Sequence, residues 1–230
     1  MPKALPIISS SNLDFLKLLK KNNNREWFNA NKDRFIEEQS AIVLFADALL
    51  AELNLHDVIE TLSGKKSLHR IYKDSRFSLD KTPYKINWSG NFTRASKSRR
   101  GGYVFHIEPG NTYFGGGFQN PNPKDLKLIR DDIGFDDSPL RNILMDEKFI
   151  ASFGSLRGEQ VKTAPKGFDI NHEAIDLLRY KQFKVLRKFT DDEVLQPDFV
   201  KIAGQTYREM RPFFDYMTEV LITDHNGLNL

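Results

Sequence analysis

His106 and Glu108 stand two residues apart in YVFHIEPGNTYFGGGF, residues 103–118. On an extended strand, residues at this spacing point to the same side, about 6–7 Å apart. An imidazole beside a carboxylate has the chemistry of a general acid or base near neutral pH, and Tyr113 supplies a hydroxyl donor just beyond the turn. The plainer reading is a polar sheet face covered by a helix or by water. A second cluster lies upstream in RIYKDSRFSLDKTPYKINW, where Arg70, Lys73, Arg76, Lys81 and Lys85 meet only Asp74 and Asp80. Those five cations suit phosphates or carboxylates, arginine through paired N–H bonds. The two acids either orient the cations or make a structural network that fixes the turn before Pro83.

Other chemistries find little support. Gly115–Phe118 reads GGGF, which is not the GxGxxG of a dinucleotide site, and no GxxxxGK[ST] occurs. The glycines have two readings: space or close backbone approach beside a ligand, or a bulge and tight packing. His56, His69, His106, His172 and His225 show no HxH, HxxxH or HExxH spacing, and cysteine is absent, so no metal or cofactor is assigned. There is no GxSxG, and neither Ser89 nor Ser155 has a base identifiable from spacing. Lys166, Arg179 and Lys181, in PKGF and LRYKQF, either join the central cations or lie at solvent-facing helix ends.

These residues need elements to hold them. Ser11-Asn12-Leu13-Asp14 has the form of a capping box opening a short helix that stops at Asn22-Asn23-Asn24. A second helix is expected from Arg25 to about Asn54, with Trp27, Phe28, Phe35, Ile42, Phe45, Leu49 and Leu53 at helical spacing. Period two then sets in, with Tyr84, Ile86, Trp88, Gly90 and Phe92 on one face of a strand. A polar loop, TRASKSRRGG, leads to a hairpin. Burial of Phe105, Ile107, Phe114 and Phe118 on one face requires an even-numbered turn, which puts His106, Glu108 and Tyr113 together on the other. Later segments read as helices around 123–133, 138–149 and 171–180, a strand over KQFKVLRKF, and a terminal helix from Asp198 to about Thr223. Pro212 interrupts that helix. The whole reads as one α+β domain over residues 1–230, a mostly antiparallel sheet packed against N-terminal and C-terminal helices.

The chain resembles a known family, domain of unknown function 2461, found in bacteria and fungi. The likeness rests on FLKLLKKNNNREWF, RIYKDSRFSLDKTPYK, HIEPGNTYFGGGF, PKGF and LRYKQF, in that order along nearly the whole chain. It implies a stand-alone single-domain protein and carries no established activity or catalytic assignment.

Bulk composition narrows the class further. A chain of 230 residues with 18 Phe, 7 Tyr and 2 Trp has the material for a core without disulfides. MPKALPIISSSN lacks the apolar run of a signal peptide, and no stretch reaches the about 18 apolar residues of a membrane span. A cytoplasmic location with no membrane partner is expected. Net charge is only +3, yet residues 65–102 hold eleven cations against two acids. Such a local excess attracts anions over about a Debye length. Three functions follow. The first is binding or processing of a small anionic ligand on a polar basic sheet face. The second is nucleic-acid binding by the 65–102 segment, with Arg94, Lys97, Arg99 and Arg100 as an arm. The third is a structural or protein-interaction domain.

Overall fold

Four strands form one antiparallel sheet: β1 (Trp88–Thr93), β2 (Gly102–Ile107), β3 (Thr112–Phe118) and β4 (Phe183–Phe189), side by side in that order. The computed structural model describes residues 5–74, 76, 79–95, 100–223 and 228. Lys97 and Arg99 of the expected arm lie outside the described residues. The fold is α+β. Its helices are α1 (Ser10–Lys21), α2 (Arg25–Ala30), α3 (Lys32–Leu53), α4 (Gly64–Ser67), α5 (Pro123–Phe135), α6 (Ser138–Met145), α7 (Glu147–Phe153), α8 (Ile175–Leu178), α9 (Asp191–Val194), α10 (Phe199–Glu209) and α11 (Arg211–Ile222). Contacts divide the chain into two units. One comprises Met1–Thr93, Val104–Phe114 and Lys188–Gln205; the other comprises Arg94–Tyr103, Gly115–Arg187 and Thr206–Leu230.

In the first unit α1 starts two residues earlier than the sequence suggests. Ser9 is its N-cap, with Asn12 completing the reciprocal box. Asn12 also reaches Glu38 of α3 through its amide, 2.6 Å from Oε2, and Ser11 Oγ donates to the same carboxylate. The cap is thus set by a buried tertiary partner. The single helix expected from Arg25 breaks at Asn31, whose side-chain amide donates to the Trp27 carbonyl at 2.9 Å. Phe28 is buried while Trp27 is only half-buried. The aromatic core gathers on Phe114, ringed by Phe45, Phe105, Phe189 and Phe199 at 5.4–6.3 Å between centroids. An antiparallel bridge from Leu68 to Gly90 covers part of β1, so that edge is not left open.

The second unit packs α5 and α6 against α11. Tyr103 sits between Tyr207 and Phe214, each 4.9 Å away by ring centroid. Arg94 belongs to this core. It is 2% exposed, donates to the Arg100 carbonyl at 3.1 Å and to Thr218 Oγ1 at 3.0 Å, and lies over the Phe214 ring. Arg100 donates to Asp125 at 2.6 Å. These two cations, expected in a surface arm, hold the fold instead. Pro212 falls in the first turn of α11 and splits the terminal helix at Met210, as proline's missing N–H and fixed φ require.

Candidate functional site

The hairpin turn runs from Glu108 to Asn111, four residues between β2 and β3. Being even, it buries Phe105, Ile107, Phe114 and Phe118 and places His106, Glu108 and Tyr113 on the opposite face. His106 Nε2 lies 2.9 Å from Glu108 Oε2, and the imidazole stacks parallel on the Tyr113 ring at 4.6 Å. Asn111 donates to the same Glu108 oxygen at 3.2 Å. Burial pushes the Tyr113 hydroxyl above its ordinary pKa, and the Glu108 charge adds to this, so Tyr113 stays a protonated donor. The three residues expected together are therefore a contacting trio.

The glycines beside them do not make space. A Cβ on Gly115 would fall closer than 3.0 Å to the Val185 carbonyl and to Leu186, and one on Gly117 equally close to the Phe183 carbonyl. Gly117 also holds φ +132, a conformation open chiefly to glycine. Of the two readings of GGGF, tight packing against β4 is the one the structure supports.

The basic segment folds as a short antiparallel ribbon. Tyr72 bridges Tyr84, Lys73 N–H donates to the Pro83 carbonyl at 2.9 Å, and Lys85 N–H donates to the Ile71 carbonyl at 2.8 Å. Alternation then puts the two tyrosines on one face, their rings 5.6 Å apart, and Lys73 and Lys85 on the other. Tyr84 also stacks on Phe28 at 4.0 Å, which anchors the ribbon. Both acids of the motif are occupied. Asp74 accepts from Arg76 Nε and Nη2 at 3.0 and 2.7 Å, so the planar fork of Arg76 is already engaged. Lys73 pairs with Asp80, and Thr82 donates twice to Asp80, at 2.9 and 2.7 Å. Lys73 and the two Thr82 bonds hold the Asp80 carboxyl well below its usual range. Burial, with Arg70 adding repulsion, pushes Lys85 below its ordinary value.

The ribbon forms one wall of an open groove of about 760 Å³, lined by Lys73, Leu79, Asp80, Lys81, Thr82 and Pro83 on one side and Asn23, Asn24 and Arg25 on the other. The asparagine run fixes that second side. Asn22 donates to the Leu18 carbonyl, Asn23 both accepts from Tyr84 N–H at 3.1 Å and donates to its carbonyl at 2.9 Å, and Asn24 caps α2 through Trp27 N–H. Of the predicted residues, Lys73 and Lys81 line the groove. Arg70, Arg76 and Lys85 do not line it, and neither do His106, Glu108 and Tyr113. Among the described residues, the side-chain bonds and ring contacts of the trio stay within the hairpin.

The family model described as a conserved hypothetical protein (DUF2461) matches residues 11–216. The chain belongs to this family. No curated protein and no solved structure matches it. The match spans both clusters, and with them every motif on which the resemblance rests. Sequence reasoning passed over Arg25, Asn23, Asn24 and Thr82. Their only signal was position: the asparagine run marks a helix end, and nothing in one dimension places residue 25 across from residue 81. No group of three or more His, Asp or Glu able to hold a metal ion occurs among the described residues, and none of their helices is long and apolar enough to cross a membrane.

Proposed function

We propose that this DUF2461 protein binds a small phosphate- or carboxylate-bearing ligand in the groove lined by residues 23–25 on one side and by Lys73 and residues 79–83 on the other. One observation carries the reading. Arg25 has no carboxylate partner among the described residues, yet it opens on a concavity it shares with Lys73 and Lys81. The acid in the same groove, Asp80, is neutralised by Lys73 and Thr82, so the remaining potential favours an anion. Arginine offers two parallel N–H donors to such a group, while the Asn23 amide, bonded to the Tyr84 backbone, and the Thr82 hydroxyl, bonded to Asp80, fix the walls. The volume falls within the range typical of small-ligand sites, about 300–1,000 Å³. The test is a titration with inorganic phosphate and, separately, succinate, followed by calorimetry and thermal unfolding. Saturating anion at about 100 times Kd should raise stability by about 2.7 kcal/mol. Arg25→Ala and Lys81→Ala should each remove the effect. No stabilisation at millimolar anion, or one indifferent to both changes, would sink the reading.

A further inference from the structure

Ser89 has an imidazole within hydrogen-bond reach, supplied from a segment twenty residues upstream. The antiparallel bridge of Leu68 to Gly90 and the bond from His69 N–H to the Ser89 carbonyl at 2.8 Å lay residues 68–69 along β1. Ser89 and Asn91 are two apart on that strand and share its polar face. The His69 ring meets both. Nδ1 lies 3.3 Å from Ser89 Oγ, and Nε2 lies 3.0 Å from Asn91 Oδ1. An amide oxygen at Nε2 holds the ring proton there and leaves the Nδ1 lone pair facing the hydroxyl. Nucleophile, base and orienting group thus stand in hydrogen-bond sequence, the arrangement that activates a serine. β1 and β2 are neighbours in the sheet, and Gly90 and Phe92 lie against the Phe105 ring, so Ser89 and Asn91 on β1 and His106 on β2 share the opposite face. One polar face therefore carries His69, Ser89 and Asn91 beside the His106–Glu108–Tyr113 trio. The His69 and Asn91 side chains are exposed and Ser89 is half-buried, so a small substrate can reach the hydroxyl. That face of β1 and β2 bears no lysine or arginine, which favours a neutral carbonyl over a phosphoryl centre.

We propose that Ser89, His69 and Asn91 form a hydrolytic site for small carboxylic esters, independent of the anion groove. Ser89 Oγ attacks the carbonyl carbon as its proton passes to His69 Nδ1. The tetrahedral adduct collapses, the C–O bond to the alcohol breaks, and the imidazolium returns the proton to the departing alkoxide. Water then attacks the acyl carbon, giving a proton to Nδ1. The carbon–Oγ bond breaks, the acid leaves, and Ser89 recovers its proton. The sum is ester plus water to acid plus alcohol.

Two experiments on the full chain test this. Wild-type protein is treated with a fluorophosphonate and digested, and the modified residue is located by mass spectrometry. Labelling at Ser89 supports the site; labelling elsewhere, or none, overturns it, and no variant needs to fold for this result. Hydrolysis of p-nitrophenyl acetate is then followed against pH. Ser89→Ala should abolish the enzyme-dependent rate, and His69→Gln should lower it by about 10²–10⁴-fold, the usual range for a positioned base. Asn91 is a positioning residue, so its readout is the profile. Asn91→Asp places a carboxylate at Nε2, stabilises the imidazolium and should move the acid limb to higher pH. An unmoved limb, or equal rates for wild type and Ser89→Ala, rejects the proposal.

Discussion

Arg141 and Asp176 make a two-point contact, Nη2 to Oδ1 at 2.7 Å and Nη1 to Oδ2 at 3.2 Å, while Arg141 Nε also reaches Asp137. The Arg141 bond holds the Asp176 carboxyl below its usual range, against the opposing effect of burial. A carboxylate whose folded pKa is lowered contributes stability above its unfolded pKa of about 3.9 and loses it as pH falls through the folded value. Asp176→Asn should therefore be less stable than wild type at neutral pH, by under about 1 kcal/mol because the pair is half in water. The gap should close as the solution is acidified. Urea denaturation of both proteins across that range measures it; a gap constant with pH would mean that ionisation of Asp176 is irrelevant. Arg76 offers a sharper contrast with Arg25. Its fork is bound by Asp74, so Arg76→Lys should leave phosphate affinity unchanged while Arg25→Ala removes it. Loss of binding in Arg76→Lys would move the anion site out of the groove and into the ribbon.

At the scale of elements, β3 is held from both sides by packing that tolerates little change. Phe114 is fully buried within a ring of four other phenylalanines. Phe114→Ala should cost about 3–5 kcal/mol through lost contacts and a residual cavity. One residue on, Gly115 faces the β4 backbone at a separation that excludes any side chain. Gly115→Ala should cost about 1–3 kcal/mol by forcing the strands apart, read as a lower urea midpoint. A change below about 0.5 kcal/mol, the level of an ordinary surface substitution, would mean that β4 does not lie against β3 there. His106 and Tyr113 owe their contact to the same hairpin, since a three-residue turn would have turned one of them into the core.

For the molecule as a whole, the charge distribution matters more than its net value of +3. The cationic excess of residues 65–102 is only partly available. Arg94 and Arg100 are committed to the fold, and Lys73 and Arg76 to Asp80 and Asp74. The groove cations Arg25 and Lys81 are exposed, so phosphate affinity should weaken as salt rises. The Debye length shrinks from about 30 Å at 0.01 M to about 8 Å at 0.15 M. Titrations at low and physiological ionic strength check this, and a salt-independent affinity would point to a buried site instead.

Much of this protein could be read from its residues in one dimension. Hydrophobic period two located β2 and β3 and their inward faces, because alternation follows from strand geometry alone; it began β1 four residues early, at Tyr84, which bridges Tyr72 instead. It also put His106, Glu108 and Tyr113 together, since burial of three phenylalanines and Ile107 permits only one turn parity. The split at Pro212 follows from the covalent structure of proline. Other outcomes depended on partners distant in sequence. The start of α1 answers to Glu38, twenty-six residues from Asn12. Arg94 was read as a surface cation, yet it is buried, because charge type alone cannot reveal the Arg100 carbonyl converging with a hydroxyl and an aromatic ring from α11. GGGF was ambiguous until β4 lay against it. The groove and the base beside Ser89 were illegible for the same reason: Arg25 meets the ribbon, and His69 meets β1, only when the chain folds back on itself, and no periodicity encodes which distant segments will meet.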